Sequence, residues 1–311
     1  MLARLMRAVL ASAVLLALGL LAWGVAAGES GWGLFGAVVV LSVHAWSQAI
    51  EFSWAAWARK PDDPGPRPRV GQWLRAWLGE VVAAPRVFFW QQPFRHAAQP
   101  DNLPAHPTGR RGVVLVHGFF CNRGFWNRWM ARLRADGVHF VAVTLEPPFG
   151  GIQRYVETLD AALRRVQQST GMPPVVVAHS MGGLVVRAWA ASAGSGAVTG
   201  IIHRLITIGT PHQGTAVAAL AFSANGRQMR RGSAWLQALV QTESDSRLPA
   251  ATTAFFSSCD NIVFPPSLAQ WPGAQMRHLD GQAHVEMADH GEPWAELQRW
   301  LAERPPDPRA G

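Results

Sequence analysis

The sequence predicts an α/β protein, a mostly parallel sheet covered by helices on both faces and preceded by a pair of membrane helices. From Arg110 onward, short apolar runs alternate with longer stretches of helical periodicity. Alternation of this kind specifies parallel strands joined by crossover helices. The glycine-containing and polar motifs fall at the ends of the apolar runs, and such sheets gather function at the carboxyl ends of their strands. Two nearly uncharged apolar runs before Lys60 account for the membrane pair.

Element by element, strands are expected at Gly112–Val116, Val138–Leu145, Val175–Ala178, Ile201–Ile208, Thr252–Ser257 and Gln275–Leu279. Helices are expected at Trp126–Ala135, ended by Asp136-Gly137, at Ile152–Gln168, closed by Gly171, at Gly182–Ala193 and at Glu292–Glu303. Residues 215–250 break the alternation. There Ala216, Val217, Leu220 and Phe222, then Trp235, Leu236, Leu239 and Val240, are apolar and helix-compatible, with Arg227, Arg230 and Arg231 between them.

Composition excludes several classes. Hydrophobic residues make up 49% and charged residues 15%, too apolar for a disordered chain. The net charge of +8 does not indicate nucleic-acid binding, because the basic residues are scattered and no nucleic-acid motif accompanies them. Attraction to anionic lipid headgroups is the better use of that charge. Fifteen Trp against one Tyr, several of them near the N-terminus, suit a membrane interface, where an indole is half buried and its N–H stays wet. Cys121 and Cys259 form no disulfide framework. Both fall in loops near the expected active site, so a single bridge and two free thiols remain alternatives.

Ala8 to Ala27 is uncharged and preceded by Arg4 and Arg7. A helix of about twenty such residues covers roughly 30 Å, the thickness of a bilayer core. A second run, Gly31 to Ile50, follows Glu29 and Ser30 and is closed by Arg59 and Lys60. Two spanning helices joined by a short turn would place both positive ends in the cytoplasm, and the catalytic part with them. The alternative is a signal peptide cleaved near Val25-Ala26-Ala27, which would export the chain. The first helix acting alone would also place the enzyme outside, and a second run lying in the interface is a further alternative. The expected organisation is a membrane anchor at 1–60, a linker at 61–109, a catalytic domain at 110–303 and a tail at 304–311. Pro61, Pro64, Pro66 and Pro68 stiffen the linker. Within it Val70–Ala84 reads as a helix with Trp73, Leu74, Trp77, Leu78 and Val81 on one face, able to dock on the domain or lie on the membrane. Residues 91–111 read as a loop.

Ala178-His179-Ser180-Met181-Gly182-Gly183 lies between a strand and a helix. It fits a nucleophile elbow, G-x-S-x-G with Ala in place of the first Gly, whose sharp turn lifts the serine hydroxyl above the sheet. Val116-His117-Gly118-Phe119-Phe120 ends another strand. Its loop is placed to supply one oxyanion donor, the Phe119 amide, and the residue after the nucleophile, Met181, supplies the other. His117 is expected to orient that loop. In chain order Ser, acid, His, the base must follow the last strand, where His284 stands; His278 and His290 read as structural. The acid must follow the strand before it, where Asp260 is favoured over Asp245 and Asp289. Asp280 reads as a cap of the strand end.

These motifs, with Ile208-Gly209-Thr210-Pro211-His212-Gln213-Gly214-Thr215 and Asp260-Asn261, resemble the bacterial lipase and esterase branch of the α/β-hydrolases, including triacylglycerol lipases and inositol-deacylase-like proteins. The resemblance spans about residues 110–303 and implies an α/β-hydrolase fold with a small helical cap at about 211–250. It implies hydrolysis of an ester, expected to be a lipid ester, through an acyl-enzyme on Ser180, with no cofactor and no metal. His212 is expected to stabilise its loop. Phe120, Trp235 and Leu236 are the expected substrate contacts, since an apolar cap suits an acyl chain; a structural insertion is the alternative. The expected location is a membrane, the bacterial inner membrane, on the two apolar N-terminal runs. An acyltransferase or thioesterase would use the same triad, and a catalytically inactive membrane scaffold is the non-enzymatic alternative.

Overall fold

The computed structural model describes residues 1–194, 198, 200–243 and 246–303. The expected tail and Asp245 lie outside them. Six strands form one parallel sheet in the order β2-β1-β3-β4-β5-β6. They are β1 Val113–Val116, β2 Phe140–Ala142, β3 Val175–His179, β4 Arg204–Ile208, β5 Thr252–Phe256 and β6 Gln275–His278. Every neighbouring pair is parallel. Strands β1, β2 and β3 are nearly continuous apolar runs because both faces are covered, whereas β6 at the sheet edge is partly exposed. Strand residues alternate between two cores. Val114, Val116, Val176, Ala178 and Leu205 join one, while Val113, Leu115, Val175, Val177, Ile206 and Ile208 join the other.

Among the described residues, longer helices accompany the sheet: α1 Leu2–Ala26, α2 Ser30–Ala58, α3 Val70–Pro85, α4 Asn127–Ala135, α5 Val156–Thr170, α6 Met181–Ala193, α7 Ala234–Thr242 and α8 Gly291–Ala302. Helices α5 and α6 cover the first core, α4 and α8 the second. The insertion between β4 and β5 carries α7. Leu236 is buried and Trp235 packs beside it on the core under α6, so both serve packing. A buried ion pair fastens this insertion. Arg187 of α6 donates from Nε to both Glu243 oxygens at 3.0 and 3.1 Å, from Nη2 to Oε2 at 2.6 Å, and from Nη1 to the His212 carbonyl at 2.6 Å.

The N-terminal elements depart most from expectation. Helices α1 and α2 are long and apolar enough to cross a membrane and form an antiparallel hairpin. Their crossing is tight because both carry glycine at the contact: a methyl group on Gly24 would stand 2.8 Å from the Gly33 Cα. The hairpin ends opposite its turn sit on the rest of the molecule. Leu2 and Met6 are buried, and the N-terminal amine meets Glu146 at 2.6 Å. Phe52 of α2 packs with Ala76 of α3, Cys259 and Ala283. Helix α3 is therefore built into the domain. Its small residues Ala76, Ala83 and Ala84 face inward and let it approach closely, while Leu74 and Leu78 of the expected stripe remain 54% and 56% exposed. The helix runs on through Arg86–Gln91 into a short turn at Gln92–Phe94, where a loop was expected. Cys121 and Cys259 are both free and buried.

Removing one partner of a buried ion pair strands the other charge, whereas removing both is far milder. Arg187→Met is expected to lower the unfolding free energy by about 3–5 kcal/mol, and Arg187→Met with Glu243→Leu to restore most of it. Denaturant unfolding of the full chain in detergent measures both.

Candidate active site

Strand β3 ends at His179, and α6 begins at Met181. Ser180 makes the whole turn between them. Its backbone sits at φ 54 and ψ −128, a conformation costly for any residue with a Cβ, and its N–H donates to the Ile208 carbonyl at 2.8 Å. Small neighbours make the turn possible. A methyl group on Gly182 would lie 2.6 Å from the Val116 carbonyl oxygen, and one on Gly118 would lie 2.8 Å from the Ser180 Cβ. Thr210 donates from its hydroxyl to the Ser180 carbonyl at 2.9 Å and ties the elbow to the loop after β4.

The loop after β1 is fixed by His117. Its Nε2 accepts from the Leu145 amide at 3.0 Å, so its Nδ1 carries the proton and donates to the Gly118 carbonyl at 2.9 Å. Burial drives its pKa down to about 4, which keeps the ring neutral in this role. Phe120 adopts φ 54 and turns the chain so that Phe119 and Phe120 face a cavity. The Phe119 amide makes no hydrogen bond among the described residues. Met181 opens α6, where first-turn amides have no partner within the helix.

Asp260 follows β5 and accepts at Oδ1 from the Ile262 and Val263 amides, both at 2.8 Å. Both of its oxygens lie 3.0 Å from Nδ1 of His284, which donates to them. That contact sets the tautomer and leaves Nε2 as the proton acceptor. Burial alone would push the His284 pKa down. The Asp260 charge and hydrogen bond outweigh it, with Glu80 and Glu51 adding to the effect, and the net shift is upward. His179, stacked on Phe125 at 4.4 Å, donates from Nε2 to the His284 carbonyl at 3.1 Å.

A cavity of about 520 Å³ brings Ser180, His284, Phe119 and Phe120 to one space. No hydrogen bond joins Ser180 Oγ to His284 among the described residues, a contact that often closes only when substrate binds. Trp235 and Leu236 do not line this cavity, nor does any other described residue of 211–250. Cys121, His179, Asn261, Ile262 and Val285 of the domain also line it, and the facing wall comes from the N-terminal region: His44, Gln48 and Glu51 of α2, Glu80 and Ala84 of α3, and Phe88 and Phe89 beyond it. His44 packs edge-on against Phe89 at 5.5 Å. The sequence held one signal for these residues. Glu51 and Glu80 are the sole acidic residues of two mostly apolar helices.

The other polar candidates have structural partners. His278 bonds Ser258, His290 caps α8, and Asp289 pairs with Arg86 and Arg128. Asp280 accepts from Gln72 at 2.7 Å, and His212 bonds Thr207 and stacks on Trp271.

The alpha/beta hydrolase family profile matches residues 113–309, more than half of the chain. The chain belongs to the α/β hydrolase family. Solved structures agree on the fold. Bacillus licheniformis lipase BlEst2 in its mature form is 18% identical with a TM-score of 0.54, the match covering 65% of this chain and 96% of that one. Aspergillus fumigatus lipase B is also 18% identical with a TM-score of 0.54, over 88% of this chain and 70% of that one. No curated protein sequence gives a significant match. Within this α/β hydrolase the family match begins at β1, so the cavity walls contributed by α2 and α3 lie outside it.

Proposed function

We propose that the protein is a membrane-anchored serine hydrolase that cleaves carboxylic esters of lipids through an acyl-enzyme on Ser180. The observation that carries this reading is the His284 imidazole, held by Asp260 at 3.0 Å at the edge of a cavity that Ser180 shares. In the first step Ser180 Oγ attacks the ester carbonyl and its proton passes to His284 Nε2. The carbonyl oxygen becomes an oxyanion facing the Phe119 and Met181 amides, each worth about 3 kcal/mol in the transition state. The tetrahedral intermediate collapses, and the alcohol leaves with the proton from His284. Water then repeats the sequence on the acyl-enzyme, releases the carboxylic acid and restores the serine. Asp260 keeps the ring oriented and stabilises the imidazolium.

The substrate class follows from the cavity wall. Phe88, Phe89, Phe119 and Phe120 offer an apolar aromatic surface suited to an acyl chain. The wall also includes His44, on a helix flanked by exposed Leu41, Val43 and Trp46, which brings the binding space up to the membrane segment. Arg4 and Arg7 at the start of α1 and Arg59 and Lys60 at the end of α2 share the catalytic end of the hairpin, with Glu29 at its turn. By the positive-inside rule the catalytic end is cytoplasmic, at the inner membrane of a bacterial cell.

Ser180→Ala is expected to abolish labelling by a fluorophosphonate probe and turnover of a p-nitrophenyl ester series while the chain stays folded; retained labelling removes Ser180 from its role. Product analysis with water or an added alcohol acceptor separates hydrolysis from acyl transfer. The base acts when neutral, so activity should rise with pH through the folded-state pKa of His284, above the ordinary value of about 6.5. A profile of kcat/KM whose acid limb falls below that value contradicts the proposed environment. For sidedness, Glu29→Cys should react with a membrane-impermeant maleimide added outside intact cells. The native thiols provide a quiet background, since burial pushes both up to about 12.

A further inference from the structure

We propose that Glu80 of α3 is a positioning residue for the general base, its carboxylate clamping the backbone that follows His284 and thereby fixing where the imidazole stands. This rests on the proposed role of His284.

Glu80 is 2% exposed. Both of its oxygens accept from the Val285 amide, at 3.0 and 3.1 Å, and Oε2 also accepts from the Glu286 amide at 3.1 Å. Among the described residues no cation pairs with it. A carboxylate taken out of water without a cation is costly. Backbone amides at the start of a helical turn are the groups that offset part of that cost, and Val285 and Glu286 open the turn Glu286–Asp289. Burial pushes the Glu80 pKa up to about 7, against the pull of those amides. The clamp closes on the backbone next to the proposed base, while Asp260 holds the ring itself.

The groups facing His284 come from every element packed around it. Asp260 follows β5 and holds Nδ1. Asn261, itself held by Glu51 of α2 at 2.8 Å, accepts from the His284 amide at 3.2 Å. His179 of β3 donates to the His284 carbonyl. The Glu286 carboxylate faces the Ala283 amide at 3.4 Å. The backbone on both sides of the base is thus anchored, and among the described residues Glu80 is the sole anchor on the C-terminal side that also brings a buried charge from outside the family domain. Its charge adds to those of Asp260 and Glu51 in favouring the imidazolium, and its hydrogen bonds resist displacement of the loop. A shift of about 1 Å in a reacting group can cost 10²-fold in rate.

The test compares Glu80→Gln and Glu80→Ala with the wild type in the full detergent-solubilised chain, with Glu292→Gln as an exposed control. Glu80→Gln keeps the size and an acceptor oxygen and loses the charge. It should lower kcat several-fold on p-nitrophenyl butyrate, leave KM unchanged and move the acid limb of the pH profile to lower pH. Glu80→Ala should lower kcat by about 10²-fold with KM unchanged. Both should retain a folded fraction measured by circular dichroism, with kcat normalised to fluorophosphonate-labelled enzyme. A titration of His284 by ¹⁵N-histidine NMR reads the same shift without needing turnover. Unlabelled wild type would defeat the hydrolase reading while the NMR shift still reports on Glu80. An unmoved His284 titration in Glu80→Gln, or a normal kcat per labelled molecule in Glu80→Ala, overturns the proposal.

Discussion

The chemistry assigned to this protein depends on holding one short loop still. His284 stands in an irregular segment between β6 and α8, with no regular secondary structure of its own to place it. It is held by partners from many parts of the chain: Asp260 on the ring, Asn261 and His179 on its own backbone, and Glu80 on the two amides that follow. Each partner is itself fixed. Asp260 is gripped by two amides of its own loop, and Asn261 by Glu51. A loop held this way loses little further freedom when substrate binds, which is where much of the value of an ordered site lies.

The opposite side of the cavity is built by strain and close approach. Ser180 and Phe120, the two non-glycine residues with positive φ among the described residues, both line the cavity and flank the point where β1 and β3 end side by side. Neither conformation would persist without surroundings that enforce it. The fully buried strands β1 and β3 do this, since they cannot shift without opening both cores. His117, neutral and doubly bonded, locks the loop that carries Phe119 and Phe120 to the start of the 145–150 segment.

A cap over the cavity would ordinarily be sought in the longest insertion of the sheet. Here the insertion after β4 is drawn sideways onto α6 by the Arg187–Glu243 pair and by Leu236, and it contributes nothing to the cavity wall among the described residues. The end of the apolar hairpin, with α3 and the turn beyond it, takes that position. In the proposed reading the segment that holds the enzyme at the membrane also shapes the space for the acyl chain, so anchoring and substrate access share one element.

The strands, the flanking helices and the elbow were legible in the amino-acid sequence because each is a local pattern. Buried parallel strands are short apolar runs, their helices repeat with the turn of the helix, and Ser180 sits in small residues at a strand end. The order of the motifs also singled out Asp260 and His284, which the fold brings into contact across the sheet edge. Residues whose meaning depends on a distant partner were not legible. Glu80 lies 205 positions from Val285, and nothing in its helix says which amides it meets. Trp235 and Leu236 have the composition of a cap, yet composition sets only that they will be buried, and the direction in which the insertion folds decides against what. Local periodicity and motif order determined the architecture; tertiary packing alone decided the cavity wall and the Glu80 contact beside His284, because both are made by contacts between segments with no pattern in common.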